Sequence, residues 1–228
     1  MIARADRRRE AGQSLVEMMV VVSILLLVLA IITGAFLTVQ RTSDEIDNRF
    51  ENTGEAQKLI AATTKDVRTA TPLSAGTSPF ILADKRRMTF YANLNFTPGS
   101  SQTLPNKVDI LIDSSNPAAP VLKEYVWVPT NPSGATPIYA STGPNGGATS
   151  LRLVGQYVAN AASDPIFRYF DADGVELASP LSATDQLKVR TIKIALSVRK
   201  QTTRAVAPVR VESTVRLANV IYGNLTAS

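Results

Sequence analysis

The chain of 228 residues contains no cysteine and no histidine. The first absence removes disulfides, thiolate nucleophiles, zinc ribbons and iron–sulfur clusters. The second removes Ser-His-Asp triads, imidazole acid–base chemistry and nearly all transition-metal sites. Charged residues are few, at 19%, so this is not a highly charged disordered chain. A net charge of +5 spread over this length is too small to argue for nucleic acid. An apolar share of 45% and a mean hydropathy of +0.05 are slightly oily for a soluble protein. Composition alone therefore argues against an enzyme; no cofactor and no small-molecule substrate are expected. These averages describe two different things, because the apolar content is concentrated at one end.

Residues 1–12 carry Arg4, Arg7, Arg8 and Arg9 against Asp6 and Glu10. From Met18 to Phe36 nineteen residues pass without a charge, and the apolar run continues through Leu37. As a helix such a run spans roughly 28 Å, close to the ~30 Å hydrocarbon core of a bilayer. A transmembrane segment is expected at about 18–37, and the arginines in front of it favour an amino terminus left in the cytoplasm with the remainder outside. A secretory signal cut after Val28-Leu29-Ala30 is one alternative, although it would leave a greasy new terminus. An uncleaved signal anchor is another. The junction itself, Gly12-Gln13-Ser14-Leu15-Val16-Glu17, places a carboxylate at the lip of the apolar run. An ionised side chain there needs a partner. A cut after Gly12 would supply one, the new ammonium of Gln13, on the same subunit or a neighbour.

The run from Gly12 to Glu17 with its basic leader and apolar tail resembles the prepilin cleavage and methylation motif of type IV pilins and type II secretion pseudopilins. The resemblance implies a leader at 1–12, cleavage by a prepilin peptidase between Gly12 and Gln13, and N-methylation of the new first residue. That residue is usually phenylalanine in the family and is Gln13 here. It also implies a role for Glu17 in setting the register between subunits of a filament. The partners implied are the peptidase, other pilin or pseudopilin subunits and the membrane, with localisation to a bacterial cytoplasmic membrane and from there to a filament. A membrane-anchored surface adhesin or DNA-uptake subunit is the alternative, with the loop 129–149 as its contact surface.

Beyond Arg41 the pattern turns amphipathic. Ile46, Phe50, Thr53, Ala56, Ile60, Thr63, Val67 and Ala70 recur every three or four residues, with Asp44, Glu55, Asp66 and other charges on the remaining faces. Pro72 stops the pattern. One long helix over 13–71 is expected, with two helices jointed near 40–43 as the alternative. From 72 to 228 the sequence reads as a β-rich head. Strands are expected at 80–83, 88–94, 107–113, 121–128, 151–158, 192–198 and 209–217, the last two joined as a hairpin across 200–208. Phe167 to Leu177 reads as a hairpin around Asp171-Ala172-Asp173-Gly174. That turn begins like a calcium loop but lacks the later ligands, so a plain turn is favoured. Ser182 to Asp185 resembles a capping box.

The fold class is therefore α+β, with a long helix packed on an antiparallel sheet. The head from Phe167 onward also resembles large minor pilins and J-type minor pseudopilins. Asp109, Asp113 and Glu124 fall on strands and read as solvated acids. Lys85-Arg86-Arg87 beside Phe90-Tyr91 has the composition of a small nucleic-acid patch, although three charges before a strand more often mark a solvated turn.

Overall fold

The computed structural model describes residues 7–94, 104–117, 119–131, 136–200 and 207–218, with side chains from 15 onward. The first half of the expected leader, 1–6, lies outside the described residues, as do residues 132–135 of the 129–149 loop and most of the 200–208 connection. The chain divides into two compact units, residues 1–48 and 49–228.

Helix α1 runs Arg7–Arg68 and passes through 40–43 without a joint. No proline interrupts it, and its glycines at 34 and 54 have open space where a side chain would stand. It begins ahead of Gly12 and ends short of Pro72. Its last turn closes through Thr69 and Ala70, whose amides reach the carbonyls of Asp66 and Val67.

In the second unit, the helix residues from 49 onward pack on two antiparallel sheets. The larger has the order β1 (Phe80–Ala83), β2 (Arg87–Ala92), β3 (Asn106–Asp113), β4 (Val121–Trp127) and β5 (Ser150–Gly155). The smaller has the order β7 (Glu176–Leu177), β6 (Phe167–Phe170), β8 (Thr191–Val198) and β9 (Val209–Arg216). Expectation placed the helix on a single sheet. The split arises at the stretch between β5 and β6, where Val158 bridges to Val198 rather than continuing β5. A short helix α2, Ala183–Lys188, begins at Ser182, whose hydroxyl accepts from the Asp185 amide at 3.1 Å.

One continuous core joins these layers. Ala56, Leu59, Ile60 and Val67 from α1 meet Met88, Phe90, Ile110 and Leu122 of the larger sheet and Phe167, Ile192, Ile194 and Leu196 of the smaller. Phe80 and Tyr169 touch edge to face at 6.2 Å, linking the two sheets. The helix stripe is displaced from expectation. Ile46 and Phe50 are 47% and 73% exposed, while Leu59, outside the expected stripe, is fully buried.

The hairpin of β6 and β7 is built as a plain turn. The Asp171 carboxylate accepts from the amides of Asp173 and Val175 at 3.0 and 2.8 Å. Gly174 sits at φ 79°, a conformation that costs a side-chain-bearing residue energy.

Candidate functional site

Two places carry the chemistry of the chain, one in each unit. The first is the entry to the apolar run. Residues 12–17 lie in α1. Gln13 and Glu17 are four apart, one turn, and therefore on one face of the helix. The Glu17 side chain is exposed, while the side chain of Gln13 lies outside the described residues. From Leu15 onward the apolar side chains are uncovered, with Met18 at 71%, Leu25 at 64% and Ile31 at 64% exposure. Among the described residues α1 is the one helix long and apolar enough to cross a membrane, and none of its apolar window is buried within the protein. Burying such a surface in lipid or among other helices is the dominant energetic demand of this unit, worth about 1.5–3 kcal/mol per large side chain.

The polar residues inside the run make no demand of their own. Ser23, Thr33 and Thr38 donate to the carbonyls of Met19, Leu29 and Gly34, each one turn back, at 2.8, 2.8 and 2.9 Å. The segment can therefore stand in an apolar medium with every side-chain hydroxyl satisfied.

The second place is the junction of α1 with the larger sheet. Strand register puts Glu124 of β4 opposite Arg152 of β5, on the face turned to the helix. There Arg152 Nη2 donates to Asp66 Oδ2 at 2.6 Å and also to Glu124 Oε2. Both carboxylates are buried, whereas the arginine is half exposed. Burial raises the Asp66 carboxyl from its ordinary 3.8 to about 7, reinforced by its hydrogen bond and charge contact with Glu124 and opposed by Arg152 and Lys65. Sequence reading placed Asp66 on an outer helix face and Glu124 among solvated strand acids. The structure buries both around a single guanidinium, 86 residues from Asp66 in the sequence, that donates to each.

Asp109 is corrected in the same way. It is 2% exposed, receives two nitrogens of Arg87, and accepts from the Thr89 hydroxyl at 3.0 Å. Only Asp113 remains at the rim, where the Lys123 ammonium at 2.5 Å holds it down to about 2. The basic triplet does not form a patch. Arg87 is taken by Asp109, Arg86 donates to the carbonyl of Ala161 at 2.8 Å, and Phe90 is in the core.

Part of the 129–149 loop folds back onto the outward face of the larger sheet. Tyr139 stacks on Tyr91 at 6.1 Å and donates to the carbonyl of Pro105, and burial raises the pKa of both phenols. The Lys107 ammonium lies 4.0 Å over Trp127 and 5.5 Å from Tyr139, and burial lowers its pKa. Trp127 donates from Nε1 to the carbonyl of Gly146 at 3.1 Å. Among the described residues no group of acids is placed to hold a metal ion.

Residues 7–33 match the family model described as the prokaryotic N-terminal methylation motif. No curated protein and no solved structure matches the chain. The motif, and the one long apolar amino-terminal helix whose later turns pack on an antiparallel β head, support a pilin-like family. The motif implies processing by a prepilin peptidase and assembly with other pilin subunits, and the uncovered helix implies anchoring in a membrane.

Proposed function

We propose that the chain is a minor pilin or pseudopilin, a membrane-anchored structural subunit of a type IV pilus or a type II secretion-like filament. The carrying observation is the methylation motif at 7–33 leading directly into an uncovered apolar helix. In this reading the peptidase cuts between Gly12 and Gln13 on the cytoplasmic side. Four basic and two acidic residues leave with the leader, so the charge falls from +5 to +3 before the new terminus is counted. The freed Gln13 ammonium, methylated by the same system, pairs with a Glu17 carboxylate of its own or an adjacent subunit. In an apolar surrounding the pair itself adds little net stability, but leaving either charge unpaired costs far more than at a wet surface, which makes it a register device rather than a glue. The anchor is a single pass with its amino terminus in the cytoplasm and its head outside. The head works by packing against its neighbours and performs no catalysis.

The amino-terminal residue of the mature protein tests processing. Gln13 is expected. Ile31 would mean a secretory signal and Met1 an uncleaved anchor, and either overturns the reading. Glu17→Ala tests the register: cleavage is expected to continue while incorporation into filaments is lost. Normal incorporation of that variant would remove Glu17 from the mechanism.

A further inference from the structure

Residue 13 lies inside α1. In the uncut chain its nitrogen is an amide, planar and with its lone pair delocalised into the neighbouring carbonyl. Cleavage between Gly12 and Gln13, on which this inference rests, turns that one atom into an amine. The residue that then carries it is a glutamine. Its side-chain carbonyl carbon and its own α-nitrogen are spaced to close a five-membered ring. Phenylalanine in this place would have no such group. The reach is fixed by covalent connectivity within one residue, so neither the helix nor a neighbour has to bring the two groups together.

We propose that Gln13 is a modification site, at which the freed amine attacks the side-chain amide carbon and the residue closes to pyroglutamate. The bond from the α-nitrogen to Cδ forms, the bond from Cδ to Nε2 breaks, and the proton given up by the amine leaves with Nε2 as ammonia. No electrons are gained or lost, and no co-reactant is consumed. Methylation of the same nitrogen leaves its lone pair in place, so a methylated terminus closes by the same route.

The helix accommodates the product. The ring restricts φ at residue 13 as the ring of proline does, and the first position of a helix accepts that restriction. With the leader gone, the nitrogen of residue 13 has no intrahelical carbonyl to bind, so closure breaks no backbone hydrogen bond. Closure also removes the positive charge that the cut created. It does so at the lip of a run whose apolar side chains are uncovered from Leu15 onward, where a neutral end enters lipid at lower cost. Glu17, exposed one turn along, works in the opposite direction. While its carboxylate holds the amine as an ammonium, the nitrogen has no free lone pair and cannot attack. The mature chain therefore has two fates, an open, paired terminus and a closed, unpaired one. The register pair belongs only to the first.

The full-length mature chain is extracted from membranes in detergent and aged at neutral pH, and its amino-terminal peptide is weighed by mass spectrometry at intervals. A synthetic open-chain peptide of the same sequence, isotopically labelled and added at digestion, reports any closure caused by handling. The expected product begins at residue 13 and is lighter than the open chain by one ammonia, with or without a methyl group. It resists stepwise amino-terminal degradation, and its share grows with time above the labelled standard. Gln13→Phe should lose no ammonia from its terminus, and Glu17→Ala should close several-fold faster than wild type. A terminus that begins at Gln13 and stays open overturns closure while leaving cleavage after Gly12 intact. A terminus at Ile31 or Met1 overturns both. Closure of Glu17→Ala at the wild-type rate or below it overturns the protective role of the pair.

Discussion

Asp66 on α1 and Glu124 on β4 bind one and the same nitrogen of Arg152, so a single half-exposed guanidinium serves two buried carboxylates. The arrangement is one cation short, and burial together with Glu124 raises the Asp66 carboxyl to about 7.

The first prediction follows from that proton. Below the ordinary value of 3.8 both folded and unfolded chains hold it, and Asp66 contributes nothing. Between 3.8 and about 7 the folded chain keeps a proton that the unfolded chain releases, so stability falls as pH rises. Above that range both states are ionised and the cost stays constant, on the order of a few kcal/mol. Urea melts of wild type and Asp66→Asn across this range should show the wild type losing ground to the variant with rising pH. A constant difference between the two would refute the assignment.

Gly155 ends β5 directly against the helix. A Cβ there would lie 2.5 Å from Leu59 Cδ2 and 3.0 Å from Glu55 Oε1. Leu59 is fully buried and has no room to yield. Gly155→Ala is therefore expected to destabilise the head by about 1–3 kcal/mol, read as a lower urea midpoint at unchanged slope. A midpoint equal to wild type would mean that the strand end is free to move off the helix.

Arg87→Ala would leave Asp109 buried with only the Thr89 hydroxyl as its side-chain partner among the contacts described. Because Arg87 is itself half exposed, the expected loss is moderate, about 1–3 kcal/mol. Adding Asp109→Asn removes the uncompensated charge and should recover part of that loss. No recovery in the double variant would show that packing of the arginine stem, rather than its charge, stabilises the site.

Gly147 holds the loop against the sheet at φ 77°, where a Cβ would lie 2.6 Å from the carbonyl oxygen of Ala140. Gly147→Ala should therefore lift the loop from Trp127 at a cost of about 1 kcal/mol. Trp127 is the only tryptophan and is 8% exposed, so its emission is expected to shift to the red. Unchanged emission would separate the loop from the indole.

Much of this organisation is readable in the sequence because it is local. The uncharged run beginning at Met18, the stop before Pro72, the alternation of Ile192, Ile194 and Leu196 and the cap at Ser182 all report short-range periodicity or backbone chemistry. The buried charges were illegible for the opposite reason. Asp66, Asp109 and Glu124 look like surface acids until strand pairing brings Arg152 and Arg87 to them, and register over such separations leaves no local trace. The same limit hid the division into two sheets. In the apolar helix, the motif from Gly12 to Glu17 was legible as spacing alone.

The hydroxyls of Ser23, Thr33 and Thr38 have a consequence for transport. Each closes its bond within its own helix, so none depends on what surrounds the segment. Exchanging acyl chains for neighbouring helices then breaks no side-chain hydroxyl bond, and that part of the balance reduces to one set of dispersion contacts against another. For these groups the segment is thermodynamically portable: it is at home in either medium, and the bonds of these hydroxyls raise no barrier to moving between them.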